Sequence, residues 1–395
     1  MNIIILSDRY HPAPVSGAVM IYDLAREFSE KNHNVFVLTA DSNIDSFSSI
    51  TKESGVNILR VKAKNQKKLS KPFRLLFELF LQRKIWRVFK SKEIDIEFDL
   101  IIAHSPTIFW SYLLKKLKEK NKSAKSYLIL RDIFPKWALD TGIISFYNPI
   151  YWFLKWHEKK LYEQVQVIGV QSKSNLNYFE SNVHKLGLEV LYNFKKINFE
   201  KINKSNIRED LSLQKKVIFV FGGNLGFAQD INNILELVDA FKNNSKIHFL
   251  IIGEGTEYKN IESWIEREKR NNCHLLPAVS DLEYQSILKE CDVGIISLRS
   301  SFKTDNFPNK ILNYMQYELP ILASVNSGNE LIYIIRKNYS GLASINGNKE
   351  DLINNTKELL DDANLRKKMG QNGKNLLREK FNSIHAIESI LRSIS

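Results

Sequence analysis

The sequence predicts an α/β protein of two domains, each with a parallel β-sheet covered by helices. At 395 residues the chain is long for a single hydrophobic core. In both halves short apolar segments alternate with helical ones, which is typical of a parallel sheet with crossover helices. Residues 195–213 are polar and rich in Lys and Asn. We therefore expect domains at residues 1–192 and 193–379.

The first predicted strand lies at the N-terminus and leads into a proline-containing loop. That loop, residues 11–17, ends in Gly17 and opens a helix that runs to Glu30. Glycine at this position leaves room for a ligand to approach the unpaired amides of the first helical turn. The strands predicted in this domain are Asn2–Ser7, Asn34–Thr39, Asn57–Val61, Leu100–Ala103, Ser126–Leu130 and Gln166–Val170.

The second domain begins with an apolar strand that ends in a glycine-rich loop. Glycines 222, 223 and 226 allow the backbone to approach a ligand closely. The strands predicted here are Val217–Phe221, His248–Ile252, His274–Leu276, Val293–Ser297, Ile321–Val325 and Gly341–Ala343. A helix at about 380–395 is expected to pack back on the first domain.

A second anion site is predicted at the polar loop before residue 310. This loop feeds directly into a helix and then into an apolar strand. Because the free amides and the positive end of the helix dipole attract anions, such helix starts hold phosphates. Two such places in one half of the chain indicate a nucleotide diphosphate.

The composition argues against several classes of protein. Cys273 and Cys291 are the only cysteines, which gives neither a disulfide framework nor a metal cluster. We expect both to be small core residues in a reducing cytosol. The N-terminus has no basic leader, and no apolar run is long enough to span a bilayer.

The net charge of +13 is concentrated between Lys62 and Lys92, where eleven basic residues face a single acidic one. Apolar residues recur among them at roughly helical spacing, a pattern typical of a helix on an anionic membrane. The alternative is a packed helix whose charged face is solvated. Nucleic acid is not expected, since no recognition motif accompanies the charge. The expected membrane contacts are Lys67, Lys68, Lys71, Phe73, Arg74, Phe77, Phe80 and Trp86. The aromatic and basic residues 146–160 are a candidate extension of this surface.

Several short motifs, taken in order, resemble a known family. They are Tyr10–Gly17, Lys31–Thr39, Leu130–Pro135, Gly222–Gln229, Ile252–Gly255, Cys291–Leu298 and Phe307–Met315. Together they resemble the retaining glycosyltransferase family 4. The resemblance implies the GT-B fold, in which two Rossmann-like domains face one another across a cleft. The branch that looks most similar contains bacterial N-acetyl-L-fucosamine transferases of O-antigen and capsule synthesis.

The resemblance implies roles for three residues of the first domain. Gly17 would contact the donor diphosphate, and His104 would lie beside the donor sugar. The alternative for His104 is a satisfied histidine at a loop edge. Asp132 would orient the acceptor, although a helix N-cap before Pro135 is an equally open alternative.

The family's Glu-x7-Glu signature is altered in this chain, because Asp305 and Asn313 occupy the two glutamate positions. Asp305 keeps a carboxylate near the sugar, and Asn313 keeps a hydrogen-bonding group for the ribose. Many relatives have Arg and Lys where this chain has Asn224 and Gln229. The diphosphate would therefore depend on backbone amides and on Lys310. The expected donor-binding residues are Gly17, Gly223, Asn224, Gly226, Gln229, Gly253, Glu254, Pro277, Asn309, Lys310 and Asn313.

The predicted function is transfer of an N-acetylated deoxy sugar from a UDP-sugar, with retention at the anomeric carbon. The acceptor would be a polyprenyl-diphosphate-linked saccharide, at the inner face of the cytoplasmic membrane. We expect no cofactor and no metal. Two alternatives are a nucleotide-sugar 2-epimerase of the same fold and a non-catalytic, membrane-associated scaffold.

Overall fold

The computed structural model describes residues 1–13, 15–63, 71–180, 187–197, 202–301 and 307–395. The chain forms two compact units. The first contains Met1–Lys196 together with Ser383–Ser395, and the second contains Ile197–Asn382. The boundary lies four residues beyond the position expected from the polar stretch, 192/193.

The first unit is built on an eight-stranded sheet of order β3-β4-β2-β1-β5-β6-β7-β8. All its neighbouring strands are parallel except β3, which pairs antiparallel with β4. The strands are β1 Asn2–Ser7, β2 Asn34–Asp41, β3 Ser48–Glu53, β4 Val56–Lys62, β5 Leu100–His104, β6 Lys125–Leu130, β7 Val167–Val170 and β8 Gly187–Val190. The sequence analysis missed the two edge strands, β3 and β8, because neither contains an apolar run.

Helices cover both faces of this sheet. They are α1 Ser16–Glu30, α2 Lys71–Ser91, α3 Ser111–Lys120, α4 Lys136–Asp140, α5 Pro149–Tyr162 and α6 Lys173–Glu180. One hydrophobic core lies under α2, α3 and α5, and the other lies under α1. The strands are apolar on both sides because each face of the sheet is buried.

The second unit is built on a six-stranded parallel sheet of order β11-β10-β9-β12-β13-β14. Its strands are β9 Val217–Asn224, β10 Ile247–Glu254, β11 Cys273–Leu276, β12 Val293–Ser297, β13 Ile321–Val325 and β14 Gly341–Ile345. Its helices are α7 Ile207–Asp210, α8 Ile231–Ala240, α9 Tyr258–Arg267, α10 Asp281–Leu288, α11 Lys310–Gln316, α12 Glu330–Lys337, α13 Lys349–Asp361 and α14 Ala363–Lys380. Cys273 and Cys291 are buried and free, as expected of core cysteines.

The last helix, α15 (Ser383–Ile394), belongs to the first unit. Its apolar side chains join the core under α1. Helix α1 also fixes both points where the chain crosses between the units. The backbone N–H of Lys196 donates to Asp23 Oδ2 at 2.9 Å, and Ser383 Oγ donates to Glu27 Oε2 at 2.6 Å. Within the described ranges, no helix combines the length and apolar character needed to cross a bilayer.

Helix α14 packs against α11 through glycines. A Cβ on Gly370 would lie 1.8 Å from the backbone oxygen of Glu318, which cannot rotate away. A Cβ on Gly373, one turn later in the same helix, would lie 3.5 Å from Met315 Cγ, an ordinary contact distance. The backbone of α14 at Gly370 therefore lies directly against the backbone of Glu318, just after the end of α11.

These two glycines give a matched test of the packing. We expect Gly370→Ala to lower the free energy of unfolding by roughly 2 kcal/mol or more, because the methyl group overpacks the contact. Gly373→Ala should instead raise it by up to about 1 kcal/mol, since alanine favours the helix. Urea unfolding of both variants measures the difference. Equal effects of the two changes would contradict the α11–α14 contact.

Candidate active site

In each sheet, candidate residues lie at the carboxyl ends of the strands beside the point where strand order reverses. In the first unit β1 continues to β2 on one side, while β5 lies on its other side. In the second unit β9 continues to β10 on one side, while β12 lies on the other. Open α/β sheets bind ligands in the crevice at such switch points. We describe the two units separately.

His104 ends β5 and is 1% exposed. Its Nδ1 lies 3.3 Å from Ser7 Oγ at the end of β1. Because the Ser7 hydroxyl donates its one proton to the Arg9 carbonyl oxygen at 2.6 Å, Oγ has only lone pairs to offer the ring. This arrangement assigns the proton to Nδ1 and leaves the Nε2 lone pair free.

Two effects keep the His104 ring neutral. Burial and, to a smaller extent, the nearby Arg131 guanidinium together lower the pKa of His104 to about 3. Nε2 is buried and has no hydrogen-bond partner among the described residues. A neutral ring with a free lone pair can accept a hydrogen bond from a hydroxyl group. The alternative of a satisfied loop-edge histidine does not hold for Nε2.

Gly17 lies against His104 at the start of α1. A Cβ built on Gly17 would lie 3.0 Å from His104 Cε1 and 3.6 Å from Nε2. Val15, at the N-cap of α1, makes no side-chain hydrogen bond to cap the helix. The structure therefore brings two predicted site residues together beside an uncapped helix start, which favours an anion or a polar ligand group.

Arg131 and Asp132 follow β6, the neighbour of β5 in the sheet. Burial raises the pKa of Asp132, and the adjacent Arg131 guanidinium opposes the rise. The Arg131 Nη1 contacts Met20 Sδ of α1 at 3.3 Å. The N-cap of α4 is Pro135, and no side chain caps that helix. The alternative role of Asp132 as a helix cap is therefore wrong, and its carboxylate stays a candidate for the acceptor.

In the second unit, β9 ends in the predicted glycine loop. Gly223 has a left-handed φ of +119°, which favours glycine. Its carbonyl oxygen would lie 1.8 Å from a Cβ on Gly253 of β10, so the two backbones touch. Gly253 and Glu254 pair in register with Gly223 and Asn224. The glycines therefore let two strand ends approach each other.

Lys310 reaches from the start of α11 to this loop. Its Nζ lies 3.6 Å from the centroid of the buried Phe221 ring and donates to Gln229 Oε1 at 2.7 Å. A Cβ on Gly223 would lie 3.8 Å from the same Nζ. Burial lowers the pKa of Lys310 to about 7. Near neutral pH this lysine is therefore only partly protonated, and an anion bound beside it would favour the charged form.

The remaining donor-binding residues predicted in the second unit lie at strand ends, in loops and in α11. Asn224 and Glu254 are exposed at the ends of β9 and β10, and Pro277 is exposed just after β11. Asn309 precedes α11, and its Oδ1 is buried without a hydrogen-bond partner in the described part of the chain. The two others are Gly226, in the loop after β9, and Asn313, half-buried in α11.

Two tyrosines that the sequence analysis did not single out hold this site together. The Tyr314 hydroxyl lies 3.3 Å from the backbone oxygens of Val220 and Ile295, on β9 and β12. A Cβ on Gly294 would lie 2.3 Å from the Tyr314 ring, and one on Gly222 would lie 2.0 Å from Tyr284 Oη. The sequence indicated these contacts, because a glycine inside an apolar strand marks a place where another group approaches the backbone closely.

Asp305 lies outside the described residues, so its predicted role near the sugar remains untested.

Of the predicted membrane contacts, Lys67 and Lys68 also lie outside the described residues. Lys71, Phe73 and Arg74 lie in the first turn of α2. Phe80 is 53% exposed, whereas Phe77 and Trp86 are half-buried and pack against the core of the first unit. The apolar face of α2 is thus turned largely inward, contrary to the expected contact through Phe77 and Trp86.

Comparison with known families matches both halves of the chain. Residues 17–194 match the model described as Glycosyltransferase Family 4. Residues 203–376 match the model described as Glycosyl transferases group 1. An uncharacterized glycosyltransferase of Methanocaldococcus jannaschii is 25% identical over 312 residues, which cover 76% of this chain and 75% of that protein.

Solved structures of the same fold cover the whole chain. Sucrose-phosphate synthase of Thermosynechococcus elongatus has a TM-score of 0.74 at 15% identity, covering 99% of this chain and 98% of its own. Anabaena HepE, in complex with UDP, has a TM-score of 0.68 at 14% identity, covering 100% and 99%. At such identities the likeness shows the fold alone. It confirms the predicted GT-B fold of two α/β domains, while the resemblance to fucosamine transferases stays a prediction.

Lys310 should make stability depend on pH. Its pKa is about 7 in the folded chain and 10.5 in the ordinary, solvated state. Between these two pH values the unfolded chain therefore keeps a proton on Lys310 that the folded chain has lost. Stability should therefore rise with pH from about 7 to about 10 because of this group. Lys310→Met should remove that part of the rise, measured as the difference from wild type in urea unfolding at several pH values.

The matched control is Lys259→Met, which removes an exposed lysine of the same unit. Its difference from wild type should stay constant over this pH range. A constant difference for Lys310→Met as well would show that the folded chain does not lower the pKa of Lys310.

Proposed function

Because this chain is a glycosyltransferase with a family 4 domain followed by a group 1 domain, we propose that it transfers a sugar from a UDP-sugar to a lipid-linked saccharide. Transfer would retain the anomeric configuration. The observation that carries the proposal is Lys310, a half-buried lysine held over an aromatic ring beside a glycine loop at the switch point of its sheet. The charged form of a lysine in this position is stabilised by an anionic partner.

The donor diphosphate would supply that partner. It would lie on the backbone of the Gly223–Gly226 loop, and Lys310 would neutralise part of its charge as the bond to the sugar breaks. Gln229 accepts from Lys310 Nζ and so holds the ammonium in place. Uridine is supported by the complex of the similarly folded Anabaena HepE with UDP. Pro277, exposed after β11, would lie beside the base.

His104 would act on the sugar. Its neutral ring, oriented by Ser7, offers Nε2 as an acceptor for a sugar hydroxyl. The transition state of such a transfer resembles an oxocarbenium ion, so the hydroxyls must be held while the diphosphate departs. The leaving phosphate oxygen would take the acceptor proton, which keeps the attack on the retained face. Asp132 would orient the acceptor hydroxyl, and Asp305 would lie near the sugar.

The finer parts of the proposal concern the substrates and the place of action. We propose an N-acetylated deoxy sugar, such as N-acetyl-L-fucosamine, as the transferred group. The acceptor would be a polyprenyl-diphosphate-linked saccharide of O-antigen or capsule synthesis, reached from the inner face of the cytoplasmic membrane. The basic segment before and within α2 supports attraction to an anionic membrane.

We propose that neither a metal nor another cofactor takes part. The transferase relatives count against the 2-epimerase and the scaffold.

The donor site can be tested by calorimetry with UDP, GDP and uridine, with and without EDTA. We expect UDP to bind in both conditions, and Lys310→Met to weaken UDP binding by about tenfold to a hundredfold, the value of a charged hydrogen bond. Uridine binding should not change, because uridine lacks the diphosphate. Preference for GDP would change the proposed donor, and loss of UDP binding on adding EDTA would contradict the metal-free site.

The sugar site can be tested through turnover. His104→Ala should lower kcat for UDP release by at least about tenfold while leaving the Kd for UDP unchanged, because the ring would contact the sugar and not the nucleotide. Ser7→Ala should cause a smaller loss in the same direction, because it frees the ring to adopt the other tautomer. Thermal unfolding checks that both variants fold. Unchanged kcat in folded His104→Ala would rule out the role of His104.

A further inference from the structure

The first unit exposes a cluster of large apolar side chains between α4 and the middle of α5. Tyr147 is 90% exposed, Ile143 is 60% exposed and Trp156 is 54% exposed. We call this surface the aromatic platform, and its members are Ile143, Phe146, Tyr147, Ile150, Trp152 and Trp156. Contiguous apolar surface of this kind marks an interaction site.

The platform is an ordered part of the fold. Asn148 caps α5 by accepting from the backbone N–H of Ile150 at 2.9 Å. Trp152 Nε1 donates to the Phe146 carbonyl oxygen at 3.0 Å, and the two rings pack edge to face with centroids 4.9 Å apart. The loop and the first turns of α5 therefore hold the apolar side chains in a fixed arrangement facing outward.

Helix α5 is anchored by its opposite face. Leu154 and Leu161 are buried in the core of the first unit. The buried Glu158 accepts from the hydroxyls of Tyr162 and Tyr178, each at 3.1 Å, and pairs with Lys155. The outward residues Trp152 and Trp156 are thus displayed on a helix that is already fully packed inside. A helix with apolar residues on both faces requires an apolar neighbour on its outer face as well.

The charges around the platform have one predominant sign. Helices α2, α3 and α5 lie side by side on this face of the sheet. The exposed basic side chains described on these helices are Arg83, Arg87, Lys90, Lys115, Lys120 and Lys159. By contrast, Glu119 and Glu163 are paired with Lys116 and Lys160. The surface beside the platform is therefore suited to an anionic partner.

We propose that the aromatic platform inserts into the surface of an anionic lipid bilayer. Trp and Tyr are the residues that settle at the boundary between headgroups and acyl chains, and nearby Lys and Arg bind anionic headgroups. A protein partner would not require bases of one sign along three adjacent helices. The structure thus moves the expected insertion from α2, where Phe77 and Trp86 face the core, to α5. The exposed basic side chains of α2 would bind the anionic headgroups.

The platform is also close in sequence to the candidate acceptor residue. Asp132 lies four residues before the start of α4, and the platform begins three residues after its end. A bilayer held at the platform would bring lipid-linked acceptors to this unit, an inference that rests on the proposed function. Membrane binding itself can be measured without a substrate, so it fails or succeeds independently of transfer.

The test is co-sedimentation of the full-length protein with vesicles of equal parts phosphatidylglycerol and phosphatidylcholine, and of phosphatidylcholine alone. The wild type should bind the anionic vesicles. The double variant Tyr147→Ser, Trp156→Ser should bind them at least about tenfold more weakly, because it removes two interfacial anchors. The matched control is Leu282→Ser, Tyr333→Ser, which removes two comparably exposed apolar side chains of the second unit and should bind like wild type.

Each outcome bears on the inference. Thermal unfolding of the double variant like that of the wild type would show that it is folded and that only membrane binding has changed. Equal vesicle binding by the wild type and the double variant would overturn the assignment to α5. Absence of wild-type binding, together with a self-association that the double variant abolishes, would identify a second copy of the chain as the occupant.

Discussion

The candidate site depends on one constraint, which is that the strands of a parallel sheet all end at the same edge. In the first unit this constraint places Ser7 and His104 on adjacent strand ends, where a 3.3 Å contact orients the imidazole. In the second unit it places the Gly223 and Gly253 backbones in contact and opens a path for Lys310. Each unit thus withdraws one ionisable side chain from water at its switch point, and this desolvation lowers the pKa of both the buried His104 and the half-buried Lys310. The fold thus sets the pKa values of these two groups before any ligand is bound, and a charged ligand would shift them.

Much of this arrangement could be predicted from the sequence. Strands buried on both faces are apolar throughout, so the twelve predicted strands correspond to strands of the structure. The edge strands β3 and β8 carry no such run and could not be recognised in this way. The contact between Gly17 and His104 joins residues far apart in the chain, so no local pattern reveals it. The orientation of His104 by Ser7 depends on a hydroxyl whose partner is set only by the fold.

The basic segment shows the limit of reading helical periodicity. Periodicity in α2 and in α5 predicts that one face is apolar, but not whether that face meets the core or a partner. In α2 the apolar residues Leu81, Ile85 and Phe89 are buried, so the pattern is explained by the core. In α5 the inner face is filled by Leu154 and Leu161, and the aromatic residues Trp152 and Trp156 are left exposed outside the core. The distinction required the packing of the whole layer.

The placement of α15 has a consequence for how the protein is made. The core under α1 includes Ala386, Ile387 and Ile390, which follow the whole second unit in the sequence. The first unit therefore cannot complete this core until the second unit, Ile197–Asn382, has been synthesised, whereas the second unit is continuous and is complete earlier. The order of folding is thus the reverse of the order of the domains, and an unfinished chain would expose the apolar surface of α1 that α15 covers. A nascent first domain would be the part of this protein that a chaperone binds.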